Sequence, residues 1–133
     1  MTHTSLLLAA RILLGLLFVV AGFGKLGNVE GFGAYMATGG IPAALAWPVV
    51  LFEILAGLAL IAGAFTRIVA LALAAFCVVS GVLYHFDPSD QMQMTQLLKN
   101  LGLTGGYLLF WITGAGAWSV DARLGRDDSN AYA

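Results

Sequence analysis

The stretch RILLGLLFVVAGFGK, Arg11 to Lys25, decides the fold, because it carries no polar side chain between the charges at its two ends. Alternating spacings of four and three residues place one stripe on a single face of an α-helix: Arg11, Gly15, Phe18, Gly22 and Lys25. The two glycines on this face permit close approach of another helix. At about 1.5 Å per residue the two charges lie roughly 21 Å apart, so they belong to opposite ends of a helical bundle.

The composition of the whole chain indicates an integral membrane protein. Of its 133 residues, 60% are hydrophobic and 10% are charged, and the mean hydropathy is +0.91. A soluble domain carries about 25% charged residues, so this chain has too few to cover its surface in water.

A net charge of −1, with no cluster of lysine or arginine, excludes the electrostatics of nucleic-acid binding. Cys77 is the single cysteine, which excludes an intramolecular disulfide and a dithiol pair.

Charges and turn residues divide the chain into four predicted membrane spans, at about 5–24, 43–65, 67–85 and 97–118. Between the first two spans, VEGFGAYMA (29–37) predicts a short amphipathic helix in the membrane interface, ended by Gly39 and Gly40. Thr66 and Arg67 are predicted to form a tight link, and DPSDQMQMTQLL (87–98) an outer loop. The predicted fold is all-α, an integral membrane four-helix bundle (up-down-up-down). It forms one domain over 1–126, followed by a disordered polar tail over 127–133.

The distribution of basic residues predicts a multi-pass protein with both termini in the cytoplasm. Four arginines fall on the predicted inner side and two lysines on the outer side: Arg11, Arg67, Arg123 and Arg126 against Lys25 and Lys99. The polar stretch that follows the third span is therefore placed on the outer face of the membrane.

Charged residues within or beside the spans predict two polar clusters, since a charge at bilayer depth costs about 2.5 to 3.5 kcal/mol and marks a partner or a site. Glu53 lies in the middle of the second span, and the other members of the first cluster lie at outer helix ends: Lys25, His85, Lys99 and Asn100. As an alternative, the two lysines extend to lipid headgroups and His85 is a hydrated loop residue.

At the inner end, Arg11 and Asp121 are predicted to form a structural ion pair. The fourth span repeats the small-residue pattern of the first span, with Gly102 and Gly106 on one stripe. The two spans are therefore predicted to pack against each other.

Five segments of this chain resemble the DoxX family of small bacterial inner-membrane proteins: RILLGLLFVVAGFGKL, GIP, LFEILAGLALIAGAFTR, YHF and KNLGLTGGYLLFWITGAGAWSVDAR. The similarity extends from about Leu8 to Arg123. It implies a four-helix fold in the bacterial inner membrane. The chain matches the family's polar signature at Arg11, Lys25, Glu53, His85, Lys99, Asn100 and Asp121. Some members are linked to oxidation of sulfur compounds with quinone as acceptor, and others to oxidative-stress complexes or to export.

The first functional hypothesis is a redox protein, or a redox-complex subunit, that binds a quinone or a similar small amphiphile. Glu53 and His85 are predicted to be catalytic, as carriers of protons, and Lys25, Lys99 and Asn100 to bind the ligand. No covalently bound cofactor and no metal site are predicted. Under this hypothesis the chain is a quinone-linked membrane oxidoreductase, although the sequence leaves open whether it is an enzyme.

Two alternatives remain open from the sequence. The chain could be a non-catalytic accessory or assembly subunit in the lipid bilayer, docked to a redox-enzyme partner or to copies of itself through its small-residue stripes. A small transporter would need a continuous polar path from Arg11 to Lys25, and Phe18 lies between them. A ligand-shaped cavity between the clustered residues favours the redox hypothesis, and a closed network of salt bridges favours the assembly subunit.

Overall fold

The structure, a computed structural model, describes residues 2–127 and contains only helices and their connections over that range. Short 3-10 turns occur at Leu26–Asn28 and Ala43–Leu45. The α-helices are α1 (His3–Lys25), α2 (Val29–Thr38), α3 (Ala46–Ala62), α4 (Thr66–His85), α5 (Gln91–Thr113) and α6 (Val120–Arg123). The all-α prediction is confirmed.

Three segments of the described chain are long and apolar enough to cross a membrane: His3–Thr38, Ala43–Ala62 and Thr66–His85. They correspond to the first three predicted spans, although the second predicted span, 43–65, extends three residues beyond Ala62. The fourth predicted span corresponds to α5, which has 23 residues but begins with the polar sequence QMQMTQ and contains Lys99 and Asn100. Large apolar side chains such as Leu13 and Ile68 lie more than two-thirds exposed on the outside of the helices. Lipid is the solvent that such a surface requires.

The connection between α3 and α4 differs from the predicted Thr66–Arg67 link. α3 ends at Ala62 because Gly63 adopts a left-handed conformation with φ of 70°. Thr66 and Arg67 are already in the first turn of α4. The turn therefore consists of residues 63–65, three residues earlier than the sequence predicts.

The fourth predicted span begins too late and ends too late in the sequence. α5 starts at Gln91, because the Asp90 side chain accepts hydrogen bonds from the backbone N–H groups of Met92 and Gln93. It ends at Thr113, where Gly114 has a φ of 76°. Most of the predicted outer loop over 87–98 is therefore helical, and the connection between α4 and α5 is only 86–90.

The short helix predicted after the first span is present as α2. The Asn28 side chain caps its start by accepting from the Gly31 N–H at 2.8 Å, and the chain leaves the helix at Gly39 and Gly40.

At the C-terminal end of the chain, the predicted disordered tail begins at 127. Asp127 lies in the structure and its carboxylate accepts from the Gly116 N–H at 2.7 Å. Residues 128–133, the rest of the predicted tail, lie outside the described residues.

The main helix contacts join α1 to α3 and α4 to α5. Gly15 of α1 faces the backbone of Gly57 in α3, and Gly22 faces Ile54. The first and fourth spans, which are predicted to pack against each other, do so over a small area only, because Gly57 of α3 is the glycine that faces Gly15 on the stripe of α1. α1 and α5 meet at one central point, where the Tyr107 hydroxyl donates to the Leu14 carbonyl at 2.9 Å.

Replacing Gly57 with alanine should lower the free energy of unfolding by about 1 to 3 kcal/mol. An added Cβ would lie 2.7 Å from the Gly15 carbonyl oxygen and 3.0 Å from the Val19 nitrogen, so the backbones of α1 and α3 must separate. Gly102→Ala is the matched control, because nothing lies within 4 Å of a Cβ there and alanine favours helix. Thermal unfolding in detergent measures both, and equal losses in the two variants would contradict the close contact of α1 and α3.

Candidate functional site

A pocket of about 440 Å³ lies at the end of the molecule where α1 finishes and α5 begins. Residues of α1 to α5 and the connection before α3 form its walls, and most of them are apolar. The polar or titratable side chains that line it are Lys25, Tyr35, Glu53, Cys77, Ser80, Tyr84, His85 and Asn100. An apolar pocket of a few hundred Å³ with a few polar groups is the usual form of a small-molecule site.

Lys25 and Glu53 form an ion pair in the wall of this pocket. Lys25 is the last residue of α1, and its Nζ donates to both carboxylate oxygens of Glu53, at 3.0 and 2.9 Å. The Glu53 side chain is 5% exposed and the Lys25 side chain 25%. The Lys25 ammonium also lies 5.0 Å from the centre of the Phe32 ring. The close packing of α1 on α3 thus brings the deeper carboxylate within reach of the terminal lysine.

His85 and Asn100 reach the same pocket from α4 and α5. The Nδ1 atom of His85 lies 2.7 Å from the Gln93 Oε1, which joins the end of α4 to the first turns of α5. Asn100 packs beside Gly81, whose missing side chain lets the two helices approach. The structure therefore brings four of the five predicted cluster residues together: Lys25, Glu53, His85 and Asn100.

Lys99 does not line this pocket, contrary to its predicted position in the cluster. Adjacent residues of an α-helix point about 100° apart, so α5 directs Asn100 toward α4 and Lys99 away from it. Lys99 is exposed and borders a shallow depression with Asp90 and Gln96. Its predicted role in binding the ligand has no geometric support in the pocket.

Two tyrosines that the sequence did not single out close the pocket beneath α2. Tyr84 donates from its hydroxyl to the Met36 carbonyl at 2.7 Å, and its ring stacks on Tyr35 at 4.9 Å. Gly39 allows this arrangement, because a Cβ there would lie 2.5 Å from the Tyr84 ring. Tyr84 directly precedes His85 in the sequence, and this adjacency is the signal that could have identified it.

The two acidic residues between α4 and α5, Asp87 and Asp90, form hydrogen bonds that stabilise this connection itself. Asp87 accepts hydrogen bonds from the hydroxyl and the backbone N–H of Ser89, and these hold the pKa of the Asp87 carboxyl below its usual range. Asp90 caps α5. Neither carboxylate lines the pocket. Among the described residues, Glu53 is the only acidic residue that does.

At the opposite end of the molecule, the predicted ion pair between Arg11 and Asp121 is wrong as a direct contact. Within residues 2–127, no salt bridge joins them. The Asp121 carboxylate accepts from the backbone N–H groups of Phe65 and Thr66, each at 2.8 Å, and so caps α4. The buried Arg11 donates instead to the Trp118 carbonyl. Both side chains therefore hold the C-terminal segment against the helices. They do so through hydrogen bonds to backbone groups, which the sequence pattern could not predict.

The two ends are separated by an apolar core. Phe18 is 5% exposed; its ring packs edge-on against Phe76, with the ring centres 5.5 Å apart, and in a tilted arrangement against Tyr107 at 5.9 Å. These rings interrupt the polar path that a transporter would require between Arg11 and Lys25. Over residues 2–127, no three His, Cys, Asp or Glu residues come together in a group that could hold a metal ion.

The sequence of this chain is similar to those of known membrane proteins. A family model described as DoxX matches residues 6–86. The chain is 39% identical over 119 residues to "Inner membrane protein YqjF" of Escherichia coli (strain K12), covering 90% of this chain and 92% of that protein. It is 34% identical over 125 residues to "Inner membrane protein YphA" of the same organism, covering 89% of each. No solved structure matches the chain.

Proposed function

This chain belongs to the DoxX family of bacterial inner-membrane proteins, and we propose that it binds a quinone or a similar small amphiphile as a redox protein or a redox-complex subunit. The observation that carries the proposal is the 440 Å³ pocket with the Lys25–Glu53 pair in its wall. Its mainly apolar lining suits the ring and tail of such a ligand, and its polar residues suit a hydrogen-bonding head group.

The described side chains have distinct roles in this proposal. Asn100 binds an oxygen of the ligand through its amide, and Lys25 holds Glu53 in position at the wall. A quinone becomes a quinol when it takes up two electrons and two protons. The electrons come from a redox centre in a partner subunit, and Glu53 and His85 carry the protons. No covalently bound cofactor is needed in this chain for the transfer.

The proposed arrangement in the membrane follows the contacts. α1, α3, α4 and α5 cross the bilayer in alternating directions, and α2 lies in the interface over the pocket. Gly15 facing Gly57 and Gly22 facing Ile54 support antiparallel directions for α1 and α3. Arg67, at the start of α4, donates to the Trp111 and Ile112 carbonyls at the end of α5, which supports the same for that pair. The cytoplasmic position of both termini stays a prediction, supported by the arginines at the end opposite the pocket.

A test compares two adjacent residues of α5. Asn100→Ala should weaken binding of a short-tailed benzoquinone about tenfold, because a hydrogen bond in the pocket is lost, while Lys99→Ala should leave it unchanged. Titration of the detergent-purified protein, read by ligand-induced quenching of tryptophan fluorescence, measures the dissociation constants. Quinone extracted from the purified wild-type protein gives an independent check. Absence of binding, or an equal effect of both variants, would overturn the proposal.

A non-catalytic assembly subunit, docked to a partner or to copies of itself, is the second candidate. The closed Lys25–Glu53 pair favours it, because both carboxylate oxygens already have a charged partner. This function predicts a stable complex in mild detergent, with no extracted quinone and no effect of Asn100→Ala on the ligand titration. The titration above therefore distinguishes the two candidates.

A further inference from the structure

The geometry points to a pocket that selects the hydrogen-bond-donating form of its ligand: an aromatic amphiphile with free hydroxyl groups, such as a quinol, over the corresponding quinone or ether. This inference rests on the proposed function, because it specifies the ligand of the same pocket. It follows from counting which polar hydrogens of the pocket already have a partner and which lone pairs do not.

Most donors that line the pocket are already used within the protein. The three hydrogens of the Lys25 ammonium are directed to the two Glu53 oxygens and, at 3.5 Å, to the Ala21 carbonyl. The Tyr84 hydroxyl donates to Met36, and the Ser80 hydroxyl donates to the Cys77 carbonyl at 3.4 Å. The two hydroxyl groups therefore meet a ligand mainly with their oxygen lone pairs, and the ammonium has no free hydrogen to offer.

His85 is also set as an acceptor. The Gln93 Oε1 can only accept, so the His85 Nδ1, 2.7 Å away, carries the hydrogen of the neutral ring. The Nε2 atom then carries a lone pair, and the described residues give it no hydrogen-bond partner. Gln93 does not line the pocket, so it acts on the ligand only by positioning this ring.

Glu53 adds further acceptor capacity. A carboxylate has about four lone-pair sites, and Lys25 occupies two of them. Among the lining side chains of the described chain, polar hydrogens without a partner remain on Asn100, on the half-exposed Tyr35 and, weakly, on the Cys77 thiol. Acceptors therefore exceed donors at the polar end of the pocket.

A quinone offers only acceptors, whereas a quinol offers two O–H donors. A buried acceptor that loses its water without gaining a donor carries a desolvation penalty, so the quinone leaves His85 and Glu53 unsatisfied where the quinol does not. Tighter binding of the reduced form makes the bound quinone easier to reduce. A tenfold preference raises the midpoint potential of the bound two-electron couple by about 30 mV.

The test uses a redox-inert pair of ligands: a 4-alkylphenol and its methyl ether, in which a methyl group replaces the hydroxyl hydrogen and the ligand loses its only donor. At mildly alkaline pH the wild-type protein should bind the phenol at least tenfold more tightly. Gln93→Leu releases His85 to present either nitrogen, and should reduce this ratio at least threefold. Lys99→Ala, outside the pocket, should leave the ratio unchanged. The thermal midpoint of each variant shows that it is folded.

The outcomes separate this inference from the proposed function. Equal binding of phenol and ether, or tighter binding of a quinone than of its quinol, overturns the donor selection and leaves the pocket intact as a binding site. A ratio unchanged in Gln93→Leu overturns the role assigned to His85. If none of the ligands binds, the proposed function fails together with the inference.

Discussion

Replacing Glu53 with leucine is expected to lower the free energy of unfolding by about 2 to 3 kcal/mol, and adding Lys25→Met to that variant should restore most of the loss. Removing one partner of a buried pair leaves an uncompensated charge, which costs about 3 to 5 kcal/mol in full burial. Lys25 is a quarter exposed and can extend toward lipid headgroups, so we place the loss below that range. Removing both charges leaves two apolar side chains that suit the surrounding helices.

Unfolding by heat or by a denaturing detergent, followed by circular dichroism, measures this cycle. Glu30→Leu is the matched control, because Glu30 is an exposed carboxylate in the first turn of α2 and its loss should change stability by about 1 kcal/mol or less. A double variant as unstable as Glu53→Leu alone would contradict the ion-pair explanation. The stable double variant should fail to bind the phenol tightly, which separates the structural role of Glu53 from its role in the ligand site.

Hydropathy was sufficient to predict α1, α3 and α4, because each is a long apolar segment bounded by charges or glycines. The bounds of α5 were predicted less well, since its first two turns are polar and depend on capping by Asp90. The partners of the helices could not be predicted from small residues alone. Gly15, Gly57, Gly81 and Gly106 supply small residues on all four long helices, and only the three-dimensional packing shows which of them meet.

The candidate site was predicted in part, for a physical reason. A carboxylate in the middle of a span requires a partner, and this requirement places Glu53 in one cluster with Lys25 and Lys99 without deciding which lysine makes the ion pair. The positions of Asn100 and Lys99 could not be separated without the direction of α5. Interactions with backbone groups were missed altogether, because any residue can supply a carbonyl or an N–H. The Tyr84 bond to Met36 and the Asp121 bonds to Phe65 and Thr66 are of this kind.

Asp121 should be the most sensitive position at the other end of the molecule: Asp121→Ala is expected to lower the free energy of unfolding by about 3 to 4 kcal/mol. Its carboxylate accepts from the N–H groups of Phe65 and Thr66, and its own N–H donates to the Gly63 carbonyl at 2.8 Å. Hydrogen bonds to a charged group contribute about 1.5 to 3 kcal/mol each. The alanine variant keeps the backbone bond but leaves the buried start of α4 without its acceptor.

Two companion variants identify which contacts of Asp121 are responsible. Asp121→Asn keeps one acceptor oxygen and places an NH₂ group against the second N–H, so about half of the loss or more should remain. Arg126→Gln removes the one salt bridge that Asp121 makes among residues 2–127, a 3.8 Å contact to a side chain that is 36% exposed, and should change stability by less than about 0.5 kcal/mol. The loss of stability is therefore expected to be largest in Asp121→Ala, smaller in Asp121→Asn and much smaller in Arg126→Gln. This order follows because the cap of α4, and not an ion pair, holds the α3–α4 turn against the C-terminal segment. An Arg126→Gln loss as large as that of Asp121→Ala would reverse this assignment.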